Sequence, residues 1–227
     1  GVRLQALLER AMRCPCAVDN DVNVIALGEW RFGAGRGTRH GVYVTLGTGV
    51  GGALVCNGQL VRGAVGSAGE IGHTKISVDG PRCGCSRRGC LEAYVGSAAL
   101  VRQARAAMRR GSHVLRRVVA AHGGQITPAI LSHAARRGDR AAKQLWRDVG
   151  EALGLTLANL VNLLSPERIV IGGGVAKAWP HFAPSMKRTL RVLAFETPAK
   201  ACRIVPAQLG DRAGIVGGAI LVWDRTK

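Results

Sequence analysis

Aromatic and acidic residues are scarce in this chain. Phe, Trp and Tyr make up only 4% of its 227 residues, which leaves few side chains for stacking on nucleic-acid bases. No apolar run approaches the roughly 20 residues that a membrane span needs, and the N-terminus does not have the pattern of a signal peptide. Seven cysteines are too few for a disulfide scaffold at this length. These absences predict a cytoplasmic protein that has no membrane partner.

The composition is that of a globular protein with a strong excess of positive charge. Hydrophobic residues account for 47% of the chain, enough for a sizeable core, and 32 basic residues against 14 acidic ones give a net charge of +18. The densest arginine stretch lies within residues 101–117. As one helix it would place Val101, Ala104 and Ala107 on an apolar face and the arginines in solvent. A solvated surface is the simpler interpretation, so we do not expect nucleic acid as a partner.

Periodicity predicts an alternation of strands and helices. The Asn57-Gly58 dipeptide predicts a hairpin turn, and Asp211 is expected to cap the last helix. Strands followed by helices, with glycines at strand ends, are typical of α/β architecture. The predicted strands cover 14–18, 41–47, 50–58, 167–174 and 202–207. The predicted helices cover 4–12, 21–30, 97–110, 128–137, 139–164, 180–193 and 212–223.

The first candidate site is the segment DNDVN, residues 19–23, at the head of a predicted helix. An Asn or Asp there caps a helix by accepting hydrogen bonds from its first amides. Alternatively, Asp21 stays ionised in the positive field of the helix N-terminus and accepts a hydroxyl proton, while Asn20 binds the same substrate. The sequence leaves both interpretations open.

Two glycine-rich segments follow predicted strands. In the first, the backbone can approach a phosphate closely and a threonine adds a hydroxyl donor. In the second, a flat ligand such as adenine or ribose can lie against the backbone. The residues are Gly47, Thr48, Gly49 and Gly51 in the first segment and Gly172, Gly173 and Gly174 in the second. Glycine turns are common, so neither segment alone identifies a nucleotide site.

The most specific pattern is His73 followed by Cys83, Cys85 and Cys90, an H-x9-C-x-C-x4-C spacing. Three thiolates and one imidazole complete a tetrahedral zinc shell, and a closed shell of this type is structural. A disulfide or free thiols are the alternatives, although a C-x-C pair rarely bridges because the geometry is strained. The remaining cysteines are expected to be small core residues: Cys14, Cys16, Cys56 and Cys202.

Two of the few carboxylates flank this cysteine loop. Glu70 lies three residues before His73, and Glu92 lies two residues after Cys90. Carboxylates that accept hydrogen bonds from neutral hydroxyls are typical of sugar recognition. A supporting role beside the metal ligands is the alternative.

In this order, the motifs resemble the ROK family of sugar kinases and related repressors, within the actin-like, sugar-kinase superfamily of ribonuclease H-like fold. The resemblance covers essentially the whole chain, and its GEIGH and C-x-C-x4-C-L-E parts are highly specific. The segments that carry it are DNDVNVIALGEW (19–30), LGTGVGG (46–52), GSAGEIGH (66–73), CGCSRRGCLEAY (83–94) and IVIGGGVA (169–176).

The resemblance implies a role for each candidate residue. Asp21 would be the base that deprotonates the sugar hydroxyl, and the cysteine loop would hold a structural Zn²⁺. The turn at 47–51 would face the phosphates of ATP, the turn at 172–174 would face its adenosine, and Mg²⁺ would carry the developing charge. The sugar contacts would be Asn20, Glu70, His73 and Glu92, with His73 using one ring nitrogen for zinc and the other for the sugar.

The sequence departs from the family pattern near its start. Family kinases carry a D-x-G-G-T-type loop on their first strand, and no such segment occurs here. We therefore expect 1–40 to be a remnant of the N-terminal lobe with the catalytic Asp segment, 41–214 to be the C-terminal lobe, and 211–227 to be a helix that packs back towards the N-terminal lobe. This chain alone would then be impaired, and apolar parts of its first and last helices would be exposed.

The leading functional interpretation is ATP-dependent phosphorylation of a hexose, with glucose as the expected substrate and a homo-oligomer as the expected assembly. One alternative is a sugar-responsive repressor of the same family, which binds sugar without phosphorylating it. Another is a zinc-stabilised module that binds RNA. Asp21 and the complete LGTGVGG segment favour the kinase, because a repressor does not need phosphate chemistry.

Overall fold

The strands form a single mixed sheet in the computed structural model, which describes residues 2–226. Over these residues the sheet order is β3-β2-β1-β4-β5, with β2 antiparallel to both β1 and β3, and with β4 and β5 parallel to β1. The strands are β1 (Gly41–Leu46), β2 (Val50–Cys56), β3 (Gln59–Val61), β4 (Arg168–Gly172) and β5 (Arg203–Pro206). The predicted α/β class is confirmed.

Helices cover both faces of this sheet. The long helix α7 packs along α8, and the last helix packs on α2. Among residues 2–226, no helix is long and apolar enough to cross a membrane. The helices are α1 (Leu4–Met12), α2 (Asp21–Phe32), α3 (Glu92–Val95), α4 (Ser97–Arg109), α5 (His113–Ala121), α6 (Pro128–Arg136), α7 (Arg140–Leu164), α8 (Trp179–Leu193), α9 (Glu196–Ala201) and α10 (Ala213–Arg225).

Side-chain alternation in the central strands divides the core into two layers. Val42 and Val44 of β1 point into the larger layer, which is filled by α4 to α8, whereas Tyr43 points into the smaller one. Val22 and Ala26 of α2 complete the smaller layer. The start of α2 therefore lies over the sheet, close to the end of β1.

The hairpin between β2 and β3 is confirmed. Asn57 and Gly58 both have positive φ, at 52° and 72°, which is the conformation that a two-residue type I′ turn requires.

The predicted strand over 14–18 is wrong, because the chain there forms no strand. Pro15 is the second residue of this segment and cannot donate a ladder hydrogen bond.

The arginine-rich stretch is also not one helix. It breaks at Gly111, whose φ is 97°, so that α4 ends and α5 starts within the predicted segment.

Asp211 does not cap the last helix. It lies in a 3₁₀ turn, Gly210–Arg212, and the residue before α10 makes no side-chain cap bond. The backbone is already in the right-handed helical region there, so no extended cap position exists.

The other cysteines are less buried than predicted. Cys14 is exposed and Cys16 and Cys56 are half-buried, so the expectation of core positions is wrong for these three. Cys202 is half-buried and packs against the larger core cluster. The exposure of apolar side chains on the first and last helices is confirmed by Leu7 at 51% and Ile215 at 78%.

Candidate functional site

The turn at residues 47–51, which joins β1 to β2 and includes the first two residues of β2, is at the centre of the candidate site. The Gly47 amide donates to the Gly49 carbonyl at 2.9 Å. The amide and the hydroxyl of Ser97, the first residue of α4, both donate to the Gly47 carbonyl, at 3.0 and 2.8 Å. Thr48 is exposed at the tip. The base of the turn is thus fixed by α4, and the Thr48 hydroxyl is accessible to a ligand.

The N-terminus of α2 lies against this turn. The Asn20 side-chain oxygen accepts from the amides of Val22 and Asn23 at 2.9 and 3.3 Å, so the capping interpretation is confirmed for Asn20. Val22 contacts Gly51 so closely that a Cβ on that glycine would lie 2.4 Å from Val22 Cγ2. Asp21, between these two contacts, is exposed. Its carboxylate is therefore accessible to a substrate at the end of the hairpin.

Asp19 anchors the start of α2, a role that the sequence did not indicate. Its carboxylate accepts from Asn23 Nδ2 and Arg62 Nε, both at 2.8 Å. Burial would raise the pKa of Asp19, but the hydrogen bonds from Asn23, the Asn20 amide and Arg62 hold it below its ordinary value. Arg62 lies 43 residues away in the sequence, so no local pattern could identify this partner.

Residues 69–73 pack on β2 from the other side of the turn. A Cβ on Gly72 would lie 2.0 Å from the Val50 carbonyl oxygen, and Ile71 is buried. Because the backbone approaches β2 so closely, Glu70 and His73 flank the turn. Glu70 Oε2 is 3.9 Å from His73 Nε2.

The four predicted metal ligands come together. The ligand atoms of His73, Cys83, Cys85 and Cys90 all lie within 4.8 Å of one another. His73 Nδ1 is 3.7 Å from Cys83 Sγ, and the sulfurs of Cys85 and Cys90 are also 3.7 Å apart. Sulfurs bound tetrahedrally to zinc at about 2.3 Å are about 3.8 Å apart, whereas a disulfide bond is about 2.05 Å. The donors and their spacing therefore fit a zinc ion.

The protein environment affects two of these thiols in opposite directions. Burial raises the pKa of Cys83 to about 12, whereas the hydrogen bond from the Arg87 amide lowers the pKa of Cys85. Metal binding requires thiolates, so a cation has to displace a proton from Cys83.

Glu92 connects the cysteine loop to the turn. Its Oε2 accepts from the Val50 amide at 3.1 Å, and its Oε1 is 3.3 Å from the Cys83 thiol, which donates. A Cβ on Gly49 would lie 2.4 Å from Oε2, so a side chain there would displace this carboxylate from its present position. The contact with Cys83 favours a supporting role beside the metal ligands, and the contact with Val50 places Glu92 at the predicted phosphate turn.

The second glycine turn packs directly behind the first. Gly172 pairs with Thr45 across the parallel strands β4 and β1. Gly173 has φ 91° and approaches Leu46 so closely that a Cβ on Gly173 would lie 2.4 Å from the Leu46 carbonyl oxygen. The carboxyl ends of both strands therefore meet at one edge of the sheet, the usual ligand position in α/β folds.

A cavity of about 510 Å³ opens beside this second turn. Lys177 and Asp211 line it, and so does Glu29, a buried carboxylate that accepts hydrogen bonds from the amides of Ala34, Gln208 and Leu209. The volume of this cavity is in the range of pockets for a small molecule or cofactor. The sequence did not indicate the position of Glu29, because Gln208, whose amide binds it, is 179 residues away.

Residues 1–225 match the family described as ROK family. A glucokinase of Halalkalibacterium halodurans is 38% identical over 96% of this chain and 67% of its own length. The xylose repressor of Caldicellulosiruptor bescii is 30% identical over 98% of this chain and 55% of its own. A solved ROK family glucokinase from Streptomyces griseus, in complex with glucose and AMPPNP, is 35% identical with a TM-score of 0.85, covering 97% of this chain and 72% of that one.

Proposed function

The chain belongs to the ROK family, and from this premise we propose that it acts in the ATP-dependent phosphorylation of a hexose. One observation carries the proposal: three separate segments contact the same short turn. Val22 beside Asp21 touches Gly51, the 69–73 segment packs on Val50, and Glu92 binds the Val50 amide. A base, hydroxyl-binding groups and a phosphate-type turn are thereby adjacent, which is the arrangement that phosphoryl transfer to a sugar requires.

The sugar is held at the start of α2 and by the segments on either side of the cysteine loop. Glu70 and Glu92 accept hydrogen bonds from its hydroxyls, and His73 Nε2, beside Glu70, contacts it as well. Asn20 uses its side-chain oxygen for the helix cap, which leaves its NH₂ group to donate to the sugar. Asp21 accepts the proton of the attacking hydroxyl. Glucose is the hexose we propose, because relatives of this chain are named glucokinase.

The two glycine turns bind the phosphoryl donor. The turn at 47–51, with the Thr48 hydroxyl, faces the phosphates, and the turn at 172–174 with its cavity faces the adenosine. ATP with Mg²⁺, when bound, supplies the transferable phosphoryl group and neutralises the charge that develops on it.

A structural zinc ion on His73, Cys83, Cys85 and Cys90 fixes the position of the cysteine loop. Zinc on Nδ1 of His73, the nitrogen beside Cys83, leaves Nε2 free for the sugar. Because Glu92 follows two residues after a ligand, ordering the loop also orders this carboxylate.

Replacing the proposed base tests this function. In the complete gene product, Asp21→Asn should lower kcat for hexose phosphorylation by about 10²- to 10⁴-fold, while the sugar Kd changes little. Asn20 provides the cap, so helix α2 should persist in the variant. Asp148→Asn removes an exposed carboxylate of α7 and should leave kcat unchanged. A kcat within a few-fold of the wild type would exclude Asp21 as the base.

A sugar-responsive repressor is the second candidate, favoured by the 30% identity to a xylose repressor. It predicts sugar binding by calorimetry without any ATP-dependent phosphorylation in a coupled assay. Binding of glucose with no turnover in the complete gene product would replace the kinase proposal by this one.

A further inference from the structure

Lys75 contacts the cysteine loop at a sulfur. Its Nζ lies 2.8 Å from Cys90 Sγ, within hydrogen-bond distance. Cys90 is fully buried, whereas Lys75 reaches it from an exposed position. Within residues 2–226, Lys75 is the one cationic side chain that donates to a sulfur of the four predicted ligands.

The backbone holds Lys75 in place for this contact. Residues 75 and 90 pair in an isolated antiparallel bridge. The Ile76 amide donates to the Gly89 carbonyl at 2.8 Å, and the Leu91 amide donates to the Thr74 carbonyl at 2.9 Å. The ammonium group therefore reaches the sulfur without any rearrangement of the loop.

The charge of the filled site explains what this contact can do. A zinc ion with three thiolates and a neutral imidazole carries a net charge of −1. Glu92, at 3.3 Å from Cys83, and Glu70, at 3.9 Å from His73, add further negative charge. A buried negative charge is unfavourable unless a cation or hydrogen-bond donors offset it.

We propose that Lys75 is a positioning residue that retains the zinc ion: its ammonium donates an N–H···S hydrogen bond to the Cys90 thiolate and offsets the negative charge of the filled site. This inference rests on the proposed zinc site. The bond offsets negative charge on the sulfur of a buried ligand and thereby slows loss of the metal.

Zinc release to an excess of a chromogenic chelator tests the proposal. Lys75→Met keeps the length of the side chain and removes the donor and the charge, and zinc should leave about 10- to 100-fold faster than from the wild type. Lys75→Arg keeps a cationic donor and should restore most of the retention. Arg82→Met is the matched control, because it removes one charge from an exposed position of the same loop. Equal release rates for Lys75→Met and Arg82→Met would overturn the proposal.

A second readout separates retention of the metal from a merely structural role. With zinc bound, Lys75→Met should lower the Tm, and after chelation the variant and wild type should unfold at the same temperature. A Tm difference of equal size in both states would show that Lys75 stabilises the loop itself. Metal analysis of the wild type separates the proposed zinc site from the proposed role of Lys75. Wild-type protein without zinc would refute the site itself. One zinc per chain, released at the same rate from wild type and Lys75→Met, would refute only the role of Lys75.

Discussion

Asp139 illustrates how one side chain can join two helices. It is buried, and its carboxylate accepts from the Ala142 amide at the start of α7 at 2.8 Å. The same carboxylate accepts from the Ser112 hydroxyl at 2.6 Å and from the Leu115 amide at 2.9 Å, at the start of α5. Burial would raise the pKa of Asp139, but these hydrogen bonds hold it below its ordinary value.

The lowered pKa makes the contribution of Asp139 depend on pH in a defined direction. The stabilisation is complete above the unfolded-state pKa of about 4, and it is lost as the pH falls through the lower pKa of the folded state. Asp139→Asn should therefore lower the free energy of unfolding at pH 7 by about 1–3 kcal/mol. Between pH 7 and pH 3 the variant should lose less stability than the wild type, as measured by urea unfolding. Asp79→Asn, at an exposed carboxylate, should behave like the wild type, and a parallel acid loss in Asp139→Asn would contradict the prediction.

The sequence predicted those residue-level features that depend on short spacing. The Asn20 cap and the four metal-ligand positions are local patterns, because their partners lie within one turn or one loop. Neither the ion pair of Asp19 with Arg62 nor the bonds of Glu29 with the Gln208 and Leu209 amides could be predicted. These partners become neighbours only through the packing of the sheet.

Among the elements, the crossing of α2 and α10 depends on glycine. A Cβ on Gly217 of α10 would lie 1.7 Å from the Val24 carbonyl oxygen of α2, whereas a Cβ on Gly218 would have nothing within 4 Å. A Cβ on Gly28 of α2 would lie 2.4 Å from the Ala213 carbonyl oxygen of α10. The backbones of the two helices therefore approach within a distance that no side chain allows.

These adjacent glycines give a matched pair of substitutions. Gly217→Ala should lower the free energy of unfolding by about 1–3 kcal/mol, because the methyl group forces the helices apart. Gly218→Ala should raise it by up to about 1 kcal/mol, because alanine is the better helix former. Denaturant unfolding of both variants measures the difference. Stabilisation by both substitutions would show that α10 does not pack this closely on α2.

Helix and strand boundaries were predicted well where a periodic pattern covers many residues. They were predicted poorly where the backbone angle of one residue determines the boundary. The helix over 139–164 and the strands at the two glycine turns match the structure within a residue or two. The arginine-rich stretch was interpreted as one helix from the spacing of Val101, Ala104 and Ala107, all of which precede Gly111. The break depends on the positive φ of Gly111 and on the carboxylate of Asp139, which accepts from the Leu115 amide at the start of α5. Neither feature can be inferred from hydrophobic periodicity.

The positive charge of the whole molecule is unevenly distributed. Residues 93–147 contain eleven Arg or Lys and a single acidic residue, Asp139, which is buried. All eleven basic side chains are exposed, and none forms an ion pair in the part of the chain that the structure describes. This quarter of the chain thus carries ten of the eighteen net charges without any surface anion to offset them.

Repulsion among these cations should destabilise the fold at low ionic strength. Screening has a range of about 10 Å at 0.1 M salt and about 3 Å at 1 M, so NaCl should raise the Tm steadily over this interval. In the double variant Arg105→Gln and Arg109→Gln, which removes two like charges four residues apart on α4, the Tm should rise at low salt and depend less on NaCl. Glutamine has nearly the helix propensity of arginine, so the change in Tm reflects the loss of charge.

The control double variant, Arg31→Gln and Arg188→Gln, loses the same charge but also breaks the ion pairs with Asp224 and Glu151. Thermal unfolding at low salt decides the matter. An equal gain in both double variants would mean that total charge, and not the unpaired cations of residues 93–147, limits the stability.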